Sequence, residues 1–124
     1  MENTVVHSSA NTTRGYRVAG CTFHFLLLAE SGGGSSGVME IVVPARVGTN
    51  RHVHEHEEEQ FYVLEGDLLF EVGEHKIPAR AGDFIHIPRG TAHGFTNGDT
   101  TARLLALYIP GGLEQAFLEE GEPV

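Results

Sequence analysis

The spacing of turn residues constrains this chain more than any other feature. Sixteen glycines and five prolines punctuate 124 residues. They cut the apolar segments into pieces too short for long helices but suited to strands joined by tight turns. Strand-like runs follow one another: Tyr16–Ala19, Cys21–Ala29, Val38–Val47, Gln60–Glu65, Asp67–Val72, His75–Ala79, Phe84–Ile87, Ala92–Thr96 and Ala102–Ile109. SGGGSSG at 31–37 reads as a flexible connection, and no Gly-Lys-Ser/Thr follows to make it a phosphate loop. Gly66 reads as a hairpin turn, and Ala81-Gly82-Asp83 and Pro88-Arg89-Gly90 as further turns. Only Leu113–Glu120, after Pro110-Gly111-Gly112, reads as a helix. Short strands at this spacing predict an all-β sandwich or barrel, a form that hides sheet edges and can enclose a cavity.

The length suits one domain with a real core. We expect a polar N-terminal arm over residues 1–13, mobile or paired with a partner subunit, and a single domain over 14–124. The net charge of −9, with basic residues scattered, argues against nucleic acid and anionic lipid as partners. MENTVVHSSANTTRG lacks the apolar core of a signal peptide, and no apolar run approaches membrane-spanning length, so a cytoplasmic location is expected. A single cysteine, Cys21, excludes an internal disulfide and a thiolate-only zinc site; it reads as a small buried hydrophobe at a strand start.

The chemistry gathers in RHVHEHEEEQFYVLEG, residues 51–66. On a strand, alternate side chains share a face, with Cα atoms roughly 6.5–7 Å apart. His52 and His54 can therefore aim both rings at one point, and a divalent metal would sit about 2.0–2.1 Å from each. A carboxylate from just beyond and a histidine from a neighbouring strand would complete a site; Glu59, and His93 in TAHGFTN, are on offer. His56 has the same parity as His52 and His54 and stays open as a spare ligand or an exposed histidine. The plain alternative for the stretch is a solvated acidic strand. The buried-looking FYVLEG that follows places the cluster at the mouth of a barrel instead.

Two motifs here resemble those of the cupins. His-x-His, four residues, Glu, six residues, Gly is met by His52, His54, Glu59 and Gly66. Gly-x5-Pro-x-Gly-x2-His-x3-Asn is met by Gly82, Pro88, Gly90, His93 and Asn97. The resemblance covers roughly residues 38–110. It departs at Arg46, where the family has a glycine six residues before the first histidine, and at Arg51, where a proline often stands. The resemblance implies a small antiparallel jelly-roll β-barrel with a short C-terminal helix, in which His52, His54, Glu59 and His93 bind one metal. Glu57 and Glu58 are then solvated or ion-paired.

Three imidazoles and a carboxylate suit Fe, Mn, Ni, Cu, Co or Zn as the divalent ion. If the ion is six-coordinate, two positions remain for a chelating substrate, or for one substrate oxygen and O2. HVHEHEEEQFYVLEG, IPRGTAHGFTN and ALYIPGGLEQAFLEEGEP resemble the single-domain quercetin 2,3-dioxygenase-like cupins. The resemblance implies a dioxygenase acting on a small enol- or flavonol-like oxygen chelate, with Glu59 as general base and a homodimeric assembly. Phe61, Val63, Phe70, Phe84, Ile85, Phe95 and Leu107 are candidate apolar walls. Two other readings share the same residues: a non-redox isomerase, cyclase or decarboxylase, and a non-catalytic small-ligand binder.

Overall fold

The structure, a computed structural model, describes residues 5–124; residues 1–4 of the expected arm lie outside the described residues. Ten strands and two short helices follow in order: β1 Gly15–Val18, β2 Cys21–Leu27, α1 Ala29–Gly32, β3 Gly37–Val43, β4 Glu58–Glu65, β5 Asp67–Val72, β6 His75–Arg80, β7 Phe84–Ile87, β8 His93–Asn97, β9 Ala102–Ile109, α2 Leu113–Glu120 and β10 Glu122–Pro123. They form an antiparallel jelly roll. A seven-stranded sheet has the order β10-β1-β2-β3-β9-β4-β7, and a three-stranded sheet the order β6-β5-β8.

Period-two alternation decides which side chains enter the core. On β3, Met39, Ile41 and Val43 face in; on β9, Ala102, Leu104, Ala106 and Tyr108 do; on β4, Glu59, Phe61 and Val63 do. The two sheets meet through aromatic rings, Phe61 of the large sheet lying 5.2 Å from Phe70 and 6.0 Å from Phe95 of the small one. Cys21 is buried at the start of β2, as its sequence context suggests.

Four expectations are corrected. Gly66 is not a hairpin: β4 pairs with β7 and β9, β5 with β6 and β8, so Gly66 carries the chain from one sheet to the other. Its φ is 93°, and a Cβ there would lie 2.8 Å from that of Ala102, so glycine is required on both counts. The run Val38–Val47 stops as a strand at Val43, because Pro44 lacks the ladder N–H. The expected connection after β2 contains α1. A tenth strand follows α2 and pairs with β1. The polar segment 5–13 is tied down in part, since the Ser8 hydroxyl donates to the Leu26 carbonyl at 2.7 Å.

Arg46, which replaces the family glycine, has φ 64°. This chain imposes a left-handed backbone on an arginine, with only an exposed ion pair to Asp99 at 3.2 Å in return. We expect Arg46→Gly to leave the melting temperature unchanged or slightly raised and Arg46→Ile to lower it, measured by thermal denaturation. A branched side chain is the least tolerant of that conformation.

Candidate metal centre

The segment through His52 and His54 is less regular than a strand. Only isolated bridges hold it, Gly48 opposite Thr96 and His52 opposite His93. The His52 and His93 main chains exchange two hydrogen bonds of 2.9 Å each, and the Gly90 N–H donates to the His54 carbonyl at 2.9 Å. The two sequence motifs are therefore stitched together along the backbone. That stitching fixes His52 and His54 on one side with the same parity a strand would give. At Glu55 and His56 the chain bends towards β4, which breaks the alternation. His56 is consequently exposed, and its carbonyl accepts from Arg89 Nε at 3.0 Å. β4 then turns Glu59 inward and Glu58 outward, where Glu58 meets Arg89 at 3.6 Å and His86 at 3.8 Å. His93 opens β8 on the opposite sheet.

One potential ligand atom from each of His52, His54, Glu59 and His93 lies within 4.8 Å of the others. Glu59 and His93 are 4% and 3% exposed. The ring of His52 is 4.3 Å from that of His93 and 4.8 Å from that of His54. His52 Nδ1 lies 2.6 Å from the Asn50 carbonyl, and His93 Nδ1 lies 2.8 Å from the Thr91 carbonyl. A carbonyl only accepts, so both Nδ1 atoms carry the proton and each Nε2 presents a lone pair when the ring is neutral. His93 Nε2 then faces Glu59 Oε1 at 2.8 Å. Two acceptors approach so closely only with a cation, proton or metal, shared between them. His54 Nε2 is buried with no hydrogen-bond partner at all. An orphaned buried nitrogen and an acceptor pair are the marks of a donor set completed by a divalent ion, and the residues fit that role.

The electrostatics agree. Burial lowers the pKa of His54 more than the Glu59 charge raises it, so its ring stays neutral. Burial also acts to lower His93, but the Glu59 hydrogen bond, the Thr91 carbonyl and the Glu59 charge outweigh it and raise the pKa above 6.5. Tyr108 is pushed well above its ordinary value, by burial first, then by the Glu59 charge and a hydrogen bond to that carboxylate. Burial raises the Cys21 thiol to about 11, which makes it an inert wall rather than a soft ligand. Because metal must displace the His93 proton, we expect apparent affinity to rise roughly tenfold per pH unit on the acid side. The rise should continue past pH 6.5, where an unperturbed histidine would already have levelled off. Calorimetric titrations across pH check this.

The cluster lies on the wall of a cavity of about 610 Å³. Of the expected walls, Phe61, Phe70 and Phe95 line it. Val63 and Ile85 are buried elsewhere in the core, Leu107 is half-buried on the outer row of β9, and Phe84 is 57% exposed on the outer face of β7. Phe23, Ile41, Tyr108 and Phe117 line it as well, beside Val18, Ala19 and Cys21, and were not singled out by sequence as walls. The signal for Tyr108 was available, since parity along Ala102–Ile109 puts it on the face of Leu104 and Ala106 rather than that of Leu107. Phe117 comes from α2 and packs 5.7 Å from Phe23 and 6.0 Å from Tyr108.

A family model for the cupin domain matches residues 38–108, more than half of the chain. The chain is 32% identical over 72 residues to quercetin 2,3-dioxygenase of Bacillus subtilis, which covers 58% of this chain and 21% of that protein. It is 33% identical over 79 residues to an uncharacterised protein of Methanocaldococcus jannaschii, 63% of each. The match thus spans about a fifth of the first relative and less than two thirds of the second. Among solved structures, the polyketide cyclase RemF from Streptomyces resistomycificus superposes with a TM-score of 0.76 at 25% identity, over 86% of this chain and 80% of that one. A predicted oxalate decarboxylase from Thermotoga maritima does so with a TM-score of 0.78 at 24% identity, over 86% of this chain and 99% of that one, a likeness of fold.

Proposed function

The chain belongs to the cupin family, and from that premise we propose that it is a metal-dependent dioxygenase acting on a small, largely apolar, enol- or flavonol-like substrate that chelates through oxygen. One observation carries the reading: the His52, His54, Glu59 and His93 cluster borders a cavity whose remaining walls are mostly aromatic and aliphatic. In the proposal those four residues hold one divalent ion, from among Fe, Mn, Ni, Cu, Co and Zn. A bound ion of this kind would acidify a substrate hydroxyl and, if redox-active, support reaction with O2.

The chain's own residues do the rest. Glu59 sits within hydrogen-bond reach of the cluster's centre and accepts the substrate's hydroxyl proton. Phe61, Phe70 and Phe95 pack against the apolar body of the substrate and keep water from the reacting centre. The similarity to quercetin 2,3-dioxygenase supports this order of readings.

The likeness to a polyketide cyclase supports a second reading, a non-redox cyclase, isomerase or decarboxylase at the same site. Loading the protein with each metal anaerobically and then measuring oxygen uptake and product on a flavonol and diketone panel separates them. Uptake coupled to product supports the dioxygenase. Turnover under nitrogen supports the non-redox reading. Tight ligand binding without turnover under any metal leaves a binding module. We also propose a homodimer involving the N-terminal segment; a monomeric mass by light scattering would remove that idea.

A further inference from the structure

The four residues of the cluster are not held alike. Nδ1 of His52 and of His93 each donate to a carbonyl two residues back in the chain, so the local backbone orients both rings. His54 has no such restraint: among the described residues no hydrogen bond fixes its ring, and its Nε2 is buried without a partner. Within the cluster, Glu59 Oε1 lies 2.8 Å from His93 Nε2 and 3.7 Å from His54 Nε2, and neither contact anchors the carboxylate to the surrounding backbone. A cluster held on one half only would lose much of its preorganisation.

Tyr108 borders both unrestrained members. It stands directly opposite Glu59 in the β4–β9 ladder, and both side chains point inward. Burial first, then the Glu59 charge and hydrogen bonding to that carboxylate, raise the Tyr108 phenol, as expected of a hydroxyl set beside Glu59. Its ring meets that of His54 edge-on, with centroids 5.4 Å apart and planes at 83°. The ring is itself 3% exposed and braced by Phe117 of α2, so it is a fixed reference rather than a mobile one.

We propose that Tyr108 is the positioning residue for His54 and Glu59, setting the first by ring contact and the second through its hydroxyl. The hydroxyl engages the carboxylate from the β9 side and leaves Oε1 turned towards the imidazoles. The inference rests on reading the cluster as a metal site.

Co(II) titration of the metal-free protein tests it, read by chelator competition and by the visible ligand-field spectrum. Tyr108→Phe keeps the ring and removes the hydroxyl. It should weaken Co(II) binding by roughly 10-fold or more, in the range found when a group orienting a ligand is lost. Its spectrum should shift from that of the wild type, while the metal-free melting temperature stays close. Tyr108→Leu removes both contacts and should weaken binding further. Wild-type affinity and an unchanged spectrum in Tyr108→Phe would overturn the proposal, whether or not Tyr108→Leu folds. Failure of the wild-type protein to bind Co(II) would overturn it together with the metal reading beneath it, and the two failures are told apart by that control.

Discussion

His93→Ala is expected to weaken divalent metal binding by more than about 100-fold, beyond the loss that follows from removing a group that merely orients a ligand. His93 is the one ring of the cluster supplied by the small sheet, and it is nearly wholly buried beside Glu59. Without it, no other described histidine stands in reach, since the group that could share an ion contains only His52, His54, Glu59 and His93. The fold should survive. The bridge joining residues 52 and 93 is made of main-chain hydrogen bonds, which alanine keeps. His56→Ala is the matched control: the same chemical change, three residues from Glu59 in sequence, but on an exposed bend. It should leave affinity unchanged. Calorimetric titration of both variants checks the pair, and a loss of equal size in the two would contradict the ligand assignment.

Glu114→Ala is expected to destabilise the protein by about 2–4 kcal/mol, the scale of losing two hydrogen bonds to a charged group. Glu114 is fully buried although it lies in the first turn of a surface helix. Its two carboxyl oxygens accept one hydrogen bond each, from the Gly112 N–H at 2.7 Å and from the Ala29 N–H at 2.8 Å. The first caps α2, and the second fastens α2 to the start of α1. Gly37 leaves the necessary space, for a Cβ there would lie 2.0 Å from Glu114 Oε1. Because α2 carries Phe117 into the cavity, the carboxyl group also fixes one wall of the site. For a chain of this length the loss corresponds to a melting temperature lower by roughly 8–15 °C. Glu114→Gln keeps an acceptor for one N–H but opposes the other with its own amide, so an intermediate loss is expected. Thermal denaturation in chelator measures both.

The strands were legible wherever one face is buried, because alternation then writes the core into the sequence; β9 and α2 match their expected bounds. The two motifs were legible because their spacing reports a local geometry, whereas the left-handed backbone at Arg46 came only with the structure. What stayed hidden depends on partners far along the chain. Whether Gly66 closes a hairpin or crosses between sheets is decided by which strands pair with β4 and β5, and a positive-φ glycine serves either purpose. Glu114 looks like an ordinary helix-surface acid until Ala29, 85 residues away, supplies its donor. His56 satisfied a parity rule that holds only while the chain runs straight, and the bend at Glu55 and His56 ends it. Asn97 closes the second motif for a reason spacing does not reveal: its amide nitrogen donates to the carbonyls of Val43, Pro44 and Thr100 and so pins the loop that leads into the site.

The central claim is that His52, His54, Glu59 and His93 together hold one metal ion. X-ray absorption at the metal edge of the zinc-loaded protein tests it most directly. The account predicts imidazole scattering from three rings with one carboxylate oxygen, at about 2.0–2.2 Å. A shell without imidazole, or one that persists unchanged in His93→Ala, would contradict it.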